Sequence, residues 1–296
     1  MLLKNAKVVN DNFDVIDADL LVDGEKIEKI AEPGSVQDEQ VYDLSGYTIV
    51  PGFIDQHIHG CAGSDTGDAT PEALEAMSAH LATHGVTSFC PTTMTLSEEE
   101  IAKILANVKT CMEKGLSGAY PQGVNMEGPF IAMSKKGAQN AAYVRNPDYK
   151  EFQRLFDGCG GIVKLVDIAA ECEGGDEFIE HVAPLCTVSL AHTDANYEEA
   201  MHAFDKGITQ VTHMFNAQSG LNHRKPGVVG AVMDHDSVRA ELICDGFHIH
   251  PAALRIAFKA LGEDRTIIVS DSMKAAGCPD GDYELGGQAV YVRDGK

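Results

Sequence analysis

The chain has 296 residues, 44% of them hydrophobic, and a formal net charge of −22. That length and apolar content suffice for one large α/β barrel of ~250 residues plus a small extra piece, while the acidic balance repels polyphosphate and argues against nucleic acid as a partner. No apolar run approaches the ~20 residues of a membrane span, and MLLKNAKVVNDNFD lacks the long apolar core of a secretory signal, so a cytoplasmic protein without membrane contact is expected.

From the N-terminus, KNAKVVN, DADLLVDGEKIEKIAE and VYDLSGYTIV are short strand-like runs broken by Asp-Gly and Ser-Gly turn signals. Residues 1–50 therefore read as part of a small antiparallel β unit. After Pro51-Gly52 the rhythm changes. TPEALEAMSAHLATHG is a capped helical stretch ending in glycine, VTSFCPTTM a strand, and LSEEEIAKILANVKTCMEKG a helix with Ser97 as N-cap and three glutamates in its first turn. Strand AYPQGVNMEG, helix PDYKEFQRLFDG, strand IVKLVDIAAE, helix DEFIEHVAPLC, strand TVSLAHT, helix NYEEAMHAFDKG and strand ITQVTHMF continue the alternation. Strand VRAELICDG, helix PAALRIAFKALG and strand TIIVSDS complete it, giving eight strands counted from YTIVPGFID. Repeated right-handed crossovers of this kind close into a (β/α)8 barrel, here over residues 51–277. Residues 278–296, with YELGGQAVYVRDGK, return to strand-like text and are expected to rejoin the N-terminal β unit as a β-sandwich built from both ends of the chain. Eight cysteines are dispersed without a CxxC pair, which fits reduced thiols.

The chemistry-bearing residues sit at strand ends. In PGFIDQHIHG, His57 and His59 are two apart, and side chains at i and i+2 of a strand point to the same side, so both can converge on one ion. Four later runs end alike, with Glu127 in QGVNMEGPF, His192 in TVSLAHTD, His213 in TQVTHMFNA and Asp271 in TIIVSDSM. Taken singly, an aspartate after an apolar strand is usually a helix cap and a histidine in such a run a hydrogen-bonded, semi-buried residue. Joint occurrence at successive strand C-termini is what an active site on a parallel barrel requires. His223, Arg224 and Lys225 form a cationic patch, to which His248 can add, able to meet an anionic substrate. His80 and His84 have i,i+4 metal spacing but lie on a helix expected outside the barrel, so they read as structural or solvent-facing; Cys61 reads as a small space-filler and His250 is unassigned.

In order, PGFIDQHIHG, MEGPFI, KKGAQNAAY, AHTDANYEEA, THMFNAQSGLNHRKPG, ICDGFHIHP and VSDSMKAAGCPDGDYELGG resemble the successive signatures of the N-acetylglucosamine-6-phosphate deacetylase family of the amidohydrolase superfamily, from near residue 1 to the last residue. The resemblance implies that Glu127, His192 and His213 are the main metal ligands, that His57 and His59 can hold a second ion, and that Asp271 is the catalytic acid and base. It implies zinc or iron as the divalent cofactor, one or two ions per chain. Asn216, Ala217, Arg224 and His248 would then hold an amino-sugar phosphate, with the Arg224 loop reaching into the neighbouring site of a homodimer. Acetyl removal from N-acetyl-D-glucosamine 6-phosphate is the reaction so implied. The alternatives are an epimeric amino-sugar phosphate, another amidohydrolase reaction, or a non-catalytic metal- or sugar-phosphate-binding remnant.

This sequence departs from the family in two places. Gln139 in KKGAQNAAY stands where family members commonly have a histidine thought to polarise the substrate carbonyl, and its amide is expected to donate there instead. The chain also stops at Lys296, before the usual end of the family, which leads us to expect exposed apolar barrel surface, lowered stability and self-association.

Overall fold

The computed structural model describes residues 1–295. They divide into two compact units, Met1–Phe53 and Ile54–Lys296.

The first unit is a five-stranded sheet of β1 (Leu2–Val9), β2 (Val15–Asp23), β3 (Lys26–Ala31), β4 (Val41–Asp43) and β5 (Thr48–Ile49), in the order β3-β2-β1-β4 with β5 also on β1. The β1–β2 turn is set by Asn10, whose Oδ1 accepts from the backbone N of both Asn12 and Asp14 at 2.9 Å. Ala6, Val8, Ala18 and Leu20 form its small core.

The second unit begins within β6 (Phe53–Ile58) and continues through a short hairpin, β7 (Gly60–Cys61) and β8 (Ser64–Asp65). Helices and strands then alternate: α1 (Pro71–Thr83), β9 (Val86–Pro91), α2 (Glu98–Lys114), β10 (Tyr120–Pro121), β11 (Val124–Glu127), α3 (Tyr149–Cys159), β12 (Val163–Ile168) and α4 (Gly175–Val182). The series ends with β13 (Thr187–Leu190), α5 (Tyr197–Lys206), β14 (Gln210–Val211), α6 (Gly227–Asp234), β15 (Arg239–Ile243), α7 (Pro251–Leu261) and β16 (Thr266–Val269). Capping chemistry starts the helices where the sequence placed them. Thr70 caps α1 with Pro71 in the first turn, and Ser97 with Glu100 and Asn196 with Glu199 form reciprocal capping boxes on α2 and α5.

β11 to β16 form a parallel sheet in sequence order, and β6, β9 and β10 form a second sheet. Both seams between them are closed. A Thr92–Asn125 bridge joins β9 to β11, and on the other side Asp271 N donates to His57 O at 2.9 Å. The result is an eight-stranded barrel, β6-β9-β11-β12-β13-β14-β15-β16, whose apolar core includes Ile58, Phe89, Val124, Val166, Val188, Val211 and Leu242. A TIM-like barrel was expected and is found. Among the described residues no helix is long and apolar enough to cross a membrane.

Two elements differ from expectation for identifiable reasons. YTIVPGFID is two strands: Pro51 cannot donate to a ladder, and β5 stays with β1 while β6 enters the barrel. Helix α6, GVVGAVMD, has no sequence counterpart because Val228 to Val232 are all buried, leaving no amphipathic period to read behind its Pro-Gly opening. At the other end, β17 (Gly281–Leu285) and β18 (Gln288–Val292) pair with each other in a two-stranded antiparallel sheet. Gly286 and Gly287, both at positive φ, close that hairpin locally.

On the outer wall of the barrel Ile54, Ile256 and Ile268 are 65%, 58% and 59% exposed. Replacing all three with serine is expected to lower concentration-dependent association, read as the weight-average mass in sedimentation velocity across a dilution series.

Candidate active site and metal centre

The chemistry-bearing side chains converge at the C-terminal mouth of the barrel. His57 is the fifth residue of β6 and Glu127 the last of β11, whereas His192, His213 and Asp271 each stand two residues beyond β13, β14 and β16. Those last three have φ of 43°, 30° and 47°, a left-handed backbone that non-glycine residues avoid at a cost of roughly 1–3 kcal/mol each. Neighbouring strands hold them there. Met214 N donates to Glu241 O at 2.8 Å, Ala132 N to His192 O at 2.9 Å, and Asp271 N to the carbonyl of His57.

Glu127, 2% exposed, is the hub. Its Oε1 lies 3.1 Å from His192 Nε2 and 3.0 Å from His213 Nε2, and its Oε2 lies 3.2 Å from His59 Nε2. His192 Nε2 and His213 Nε2 are 3.2 Å apart, and Asp271 Oδ1 is 3.3 Å from the Nε2 atoms of both His57 and His59. Two three-residue donor sets result, His57/His59/Glu127 and Glu127/His192/His213, each with its ligand atoms within 4.8 Å of one another.

The donor chemistry fits a divalent cation. His192 Nδ1 lies 2.8 Å from the carbonyl of Lys135, which can only accept, so Nδ1 carries the proton and Nε2 turns a lone pair toward Glu127. His57 Nδ1 likewise faces Glu241 Oε2 at 2.9 Å. Lone pairs opposed to a carboxylate in a buried site need a positive charge between them. A tetrahedral centre with bonds of ~2.1 Å separates its ligands by about 3.4 Å, close to the spacings found here. The ionisation equilibria lean the same way. Burial works to lower His59, but the hydrogen bonds its ring donates to Asp271 and Glu127 push it up to about 10, and the same carboxylates with Glu241 raise His57 well above the ordinary range. The pocket takes up positive charge.

Gln139 does not face the open mouth. It is 2% exposed, its Nε2 donates to Glu127 Oε2 at 2.5 Å, and its Oε1 accepts from Thr95 N at 2.7 Å. A donor to the substrate carbonyl was expected; the structure spends this amide on the central carboxylate.

The residues expected to contact substrate are carried by the loops after β14 and β15. Asn216 and Ala217 occupy the half-buried turn after His213, with Ala217 O accepting from Thr193 N at 3.1 Å. His248 is exposed, pairs with Asp245 at 2.7 Å, and lines with Asp271, Phe247 and Met273 a cavity of about 510 Å³. Arg224 is exposed in a turn closed by the Asn222–Lys225 bridge. His80 and His84 lie together on α1, 4.4 Å between ring centroids, outside both donor sets. His250 caps α7, its Nδ1 accepting from Ala252 N at 3.2 Å. Burial pushes the Cys61 thiol up to about 12, which suits a space-filler.

Sequence reasoning missed the acids beneath the cluster. Asp55 Oδ2 accepts from Ser270 Oγ at 2.5 Å, Asp167 Oδ1 from Thr212 Oγ1 at 2.6 Å, and Glu241 from four donors. Burial pushes Asp167 up to about 7. The available signal was a lone acid inside an otherwise apolar strand, as in KLVDI, RAELI and FIDQHI.

The Amidohydrolase family matches residues 48–283. An N-acetylglucosamine-6-phosphate deacetylase of Bacillus subtilis (strain 168) is 36% identical over 299 residues, covering 99% of this chain and 76% of that protein. The chain belongs to the amidohydrolase family. Within the family, an N-acetylgalactosamine-6-phosphate deacetylase of Escherichia coli O157:H7 is 35% identical over 248 residues, covering 83% of this chain and 66% of that one. A solved structure of an aspartate-to-alanine mutant of the Mycobacterium smegmatis N-acetyl-D-glucosamine-6-phosphate deacetylase, in complex with N-acetyl-D-glucosamine-6-phosphate, superposes with a TM-score of 0.92 at 29% identity, covering all of this chain and 76% of that one. Amidohydrolases are metal-dependent, and the two donor sets are where this member can hold its metal.

Two outcomes follow from the geometry. Zinc at 100 times its dissociation constant is expected to stabilise the chelator-treated protein by ~2.7 kcal/mol, read as a rise in melting temperature on titration. Gln139→Ala removes a donor from Glu127 and is expected to weaken zinc binding by about 10- to 100-fold in calorimetric titration; unchanged affinity would return Gln139 to the substrate carbonyl.

Proposed function

We propose that this amidohydrolase removes the acetyl group from N-acetyl-D-glucosamine 6-phosphate, releasing acetate and D-glucosamine 6-phosphate. The observation that carries the reading is the convergence of His57, His59, Glu127, His192, His213 and Asp271 on one mouth of the barrel, in a chain whose relatives bear that activity in their names. Glu127, His192 and His213 would hold the tighter ion and His57 and His59, with Glu127, a second, either zinc or iron suiting nitrogen and carboxylate ligands. A divalent ion there would supply Lewis acidity toward an amide carbonyl and would lower the pKa of bound water toward about 7.

Asp271 is placed to move the proton. Its side chain is 18% exposed and lies between the two histidines and the 510 Å³ cavity. Burial works to raise its pKa, but His57 and His59 hold it below the ordinary carboxylate range, so at neutral pH it is a base. It takes a proton from the attacking water and returns it to the amine nitrogen, without which the amine is a poor leaving group. Asn216, Ala217, Arg224 and His248 are the proposed contacts to the sugar phosphate. We assign the loop that carries Arg224 to the neighbouring site of a homodimer. Eight free cysteines suit the reducing cytosol as the place of action.

A second reading is deacetylation of the 4-epimer, favoured by the Escherichia coli relative named for N-acetylgalactosamine 6-phosphate. Acetate release from a panel of N-acetylhexosamine 6-phosphates and their unphosphorylated forms, with the metal content of the same preparation, tests both. Turnover of the gluco compound is expected to lead; turnover led by the galacto compound selects the second reading, and no acetate from any member rejects both. Arg224→Ala is expected to weaken kcat/KM for the phosphorylated substrate by about 1.5–3 kcal/mol, as for loss of a charge-assisted hydrogen bond, and to leave the unphosphorylated sugar unaffected. Mixed dimers of Arg224→Ala and Asp271→Asn chains are expected to regain activity, since one site then holds both an intact base and an intact arginine.

A further inference from the structure

Glu241 stands within β15 with no exposed surface, and no role described above uses it. A carboxylate at that depth persists only if donors surround it. Four do. Its Oε1 accepts from Gln56 Nε2 at 2.8 Å and Gln210 Nε2 at 3.0 Å, while its Oε2 faces His57 Nδ1 at 2.9 Å and accepts from His213 N at 3.2 Å. The last two contacts reach both donor sets, since His57 belongs to one and His213 to the other. His213 also sits at φ 30°, so the bond to its N–H helps hold a turn that would otherwise relax.

We propose that Glu241 is the positioning residue that equips the His57/His59/Glu127 set to hold a second ion beside the first. By accepting from Nδ1 it fixes the proton of His57 on that atom, and Nε2 is left with a lone pair directed at the cluster. This inference builds on the two-ion reading given under the proposed function. A glutamine at 241 exposes the dependence because it keeps the shape and loses one acceptor. Gln56 and Gln210 both direct NH₂ groups at the Oε1 position, so the amide oxygen of the variant stays with them. Its NH₂ then meets His57 Nδ1, which must accept, and the imidazole proton moves to Nε2, the atom a cation needs.

Cobalt(II) titration of metal-free protein, followed by visible absorbance and checked by elemental analysis, tests this with wild type, Glu241→Gln and Glu241→Asp. Wild type is expected to bind two ions per chain. Glu241→Gln is expected to bind the second ion at least about 10- to 100-fold more weakly and the first with a smaller loss, since His213 keeps its ring contacts and loses only the bond to its backbone N–H, while the metal-free protein stays folded. Glu241→Asp, which keeps the charge but withdraws it by one methylene, is expected to fall between them, and it carries the test if the glutamine variant does not fold. Two ions bound with wild-type affinity by either variant overturns the proposal, as does parallel loss of both ions with metal-free stability, which marks a merely structural residue. A wild type that binds fewer than two ions overturns the two-ion reading itself, and with it this inference, before any variant is considered.

Discussion

One buried carboxylate organises this barrel. Glu127 has three imidazole nitrogens within 3.2 Å and the amide of Gln139 at 2.5 Å, and among the described residues no lysine or arginine forms an ion pair with it. An ionised group at 2% exposure is unfavourable by several kcal/mol unless every lone pair is met. The barrel meets that demand from four directions, with side chains from the ends of β6, β13 and β14 and from the long loop after β11 that carries Gln139. None of these segments is near another in sequence, so the site exists only when the barrel is closed. Both closing seams run through it: Asp271 N bonds to the carbonyl of His57, and Thr93 N to that of Asn125, two residues before Glu127.

Closure in turn explains the strain at the mouth. A residue that continued β13, β14 or β16 in extended conformation would alternate between core and helix layer, with no side chain aimed along the barrel axis. Turning His192, His213 and Asp271 into left-handed φ swings their side chains over the centre. Strain of that kind persists where packing over-determines it, and here hydrogen bonds from adjacent strands do so. Glu241 serves both ends of the arrangement, bonding the backbone of His213 and the ring of His57.

The sequence makes the alternation of strands and helices legible because capped amphipathic helices such as α2 announce both ends and one buried face. It conceals α6, whose apolar residues are buried all round and carry no period. Likewise the ligand candidates are legible, since each is a polar residue ending an apolar run. The acids below them are not: Asp167 and Glu241 lie inside strands, and one sequence offers no sign that Thr212, Gln56 and Gln210 arrive from other strands to satisfy them. Gln139 shows a further limit. Residue type suggested a donor, correctly, but its recipient is fixed by a loop path that only the fold defines.

These buried acids also separate the two electrostatic tasks of the protein. Inside the barrel Asp55, Glu127, Glu241 and Asp271 are tied to histidine rings, amides and a serine hydroxyl, an arrangement that draws cations and repels anions. An anion therefore gains nothing from the cluster, whereas the side chains of His248 and Arg224 are exposed. Rim charges lie in water, where screening acts over ~8 Å at physiological ionic strength, whereas the buried set is little affected. Charges at the surface and charges in the barrel thus run on different dielectric footing. That division lets a chain with a net charge of −22 keep a buried donor set suited to a cation apart from its exposed basic side chains.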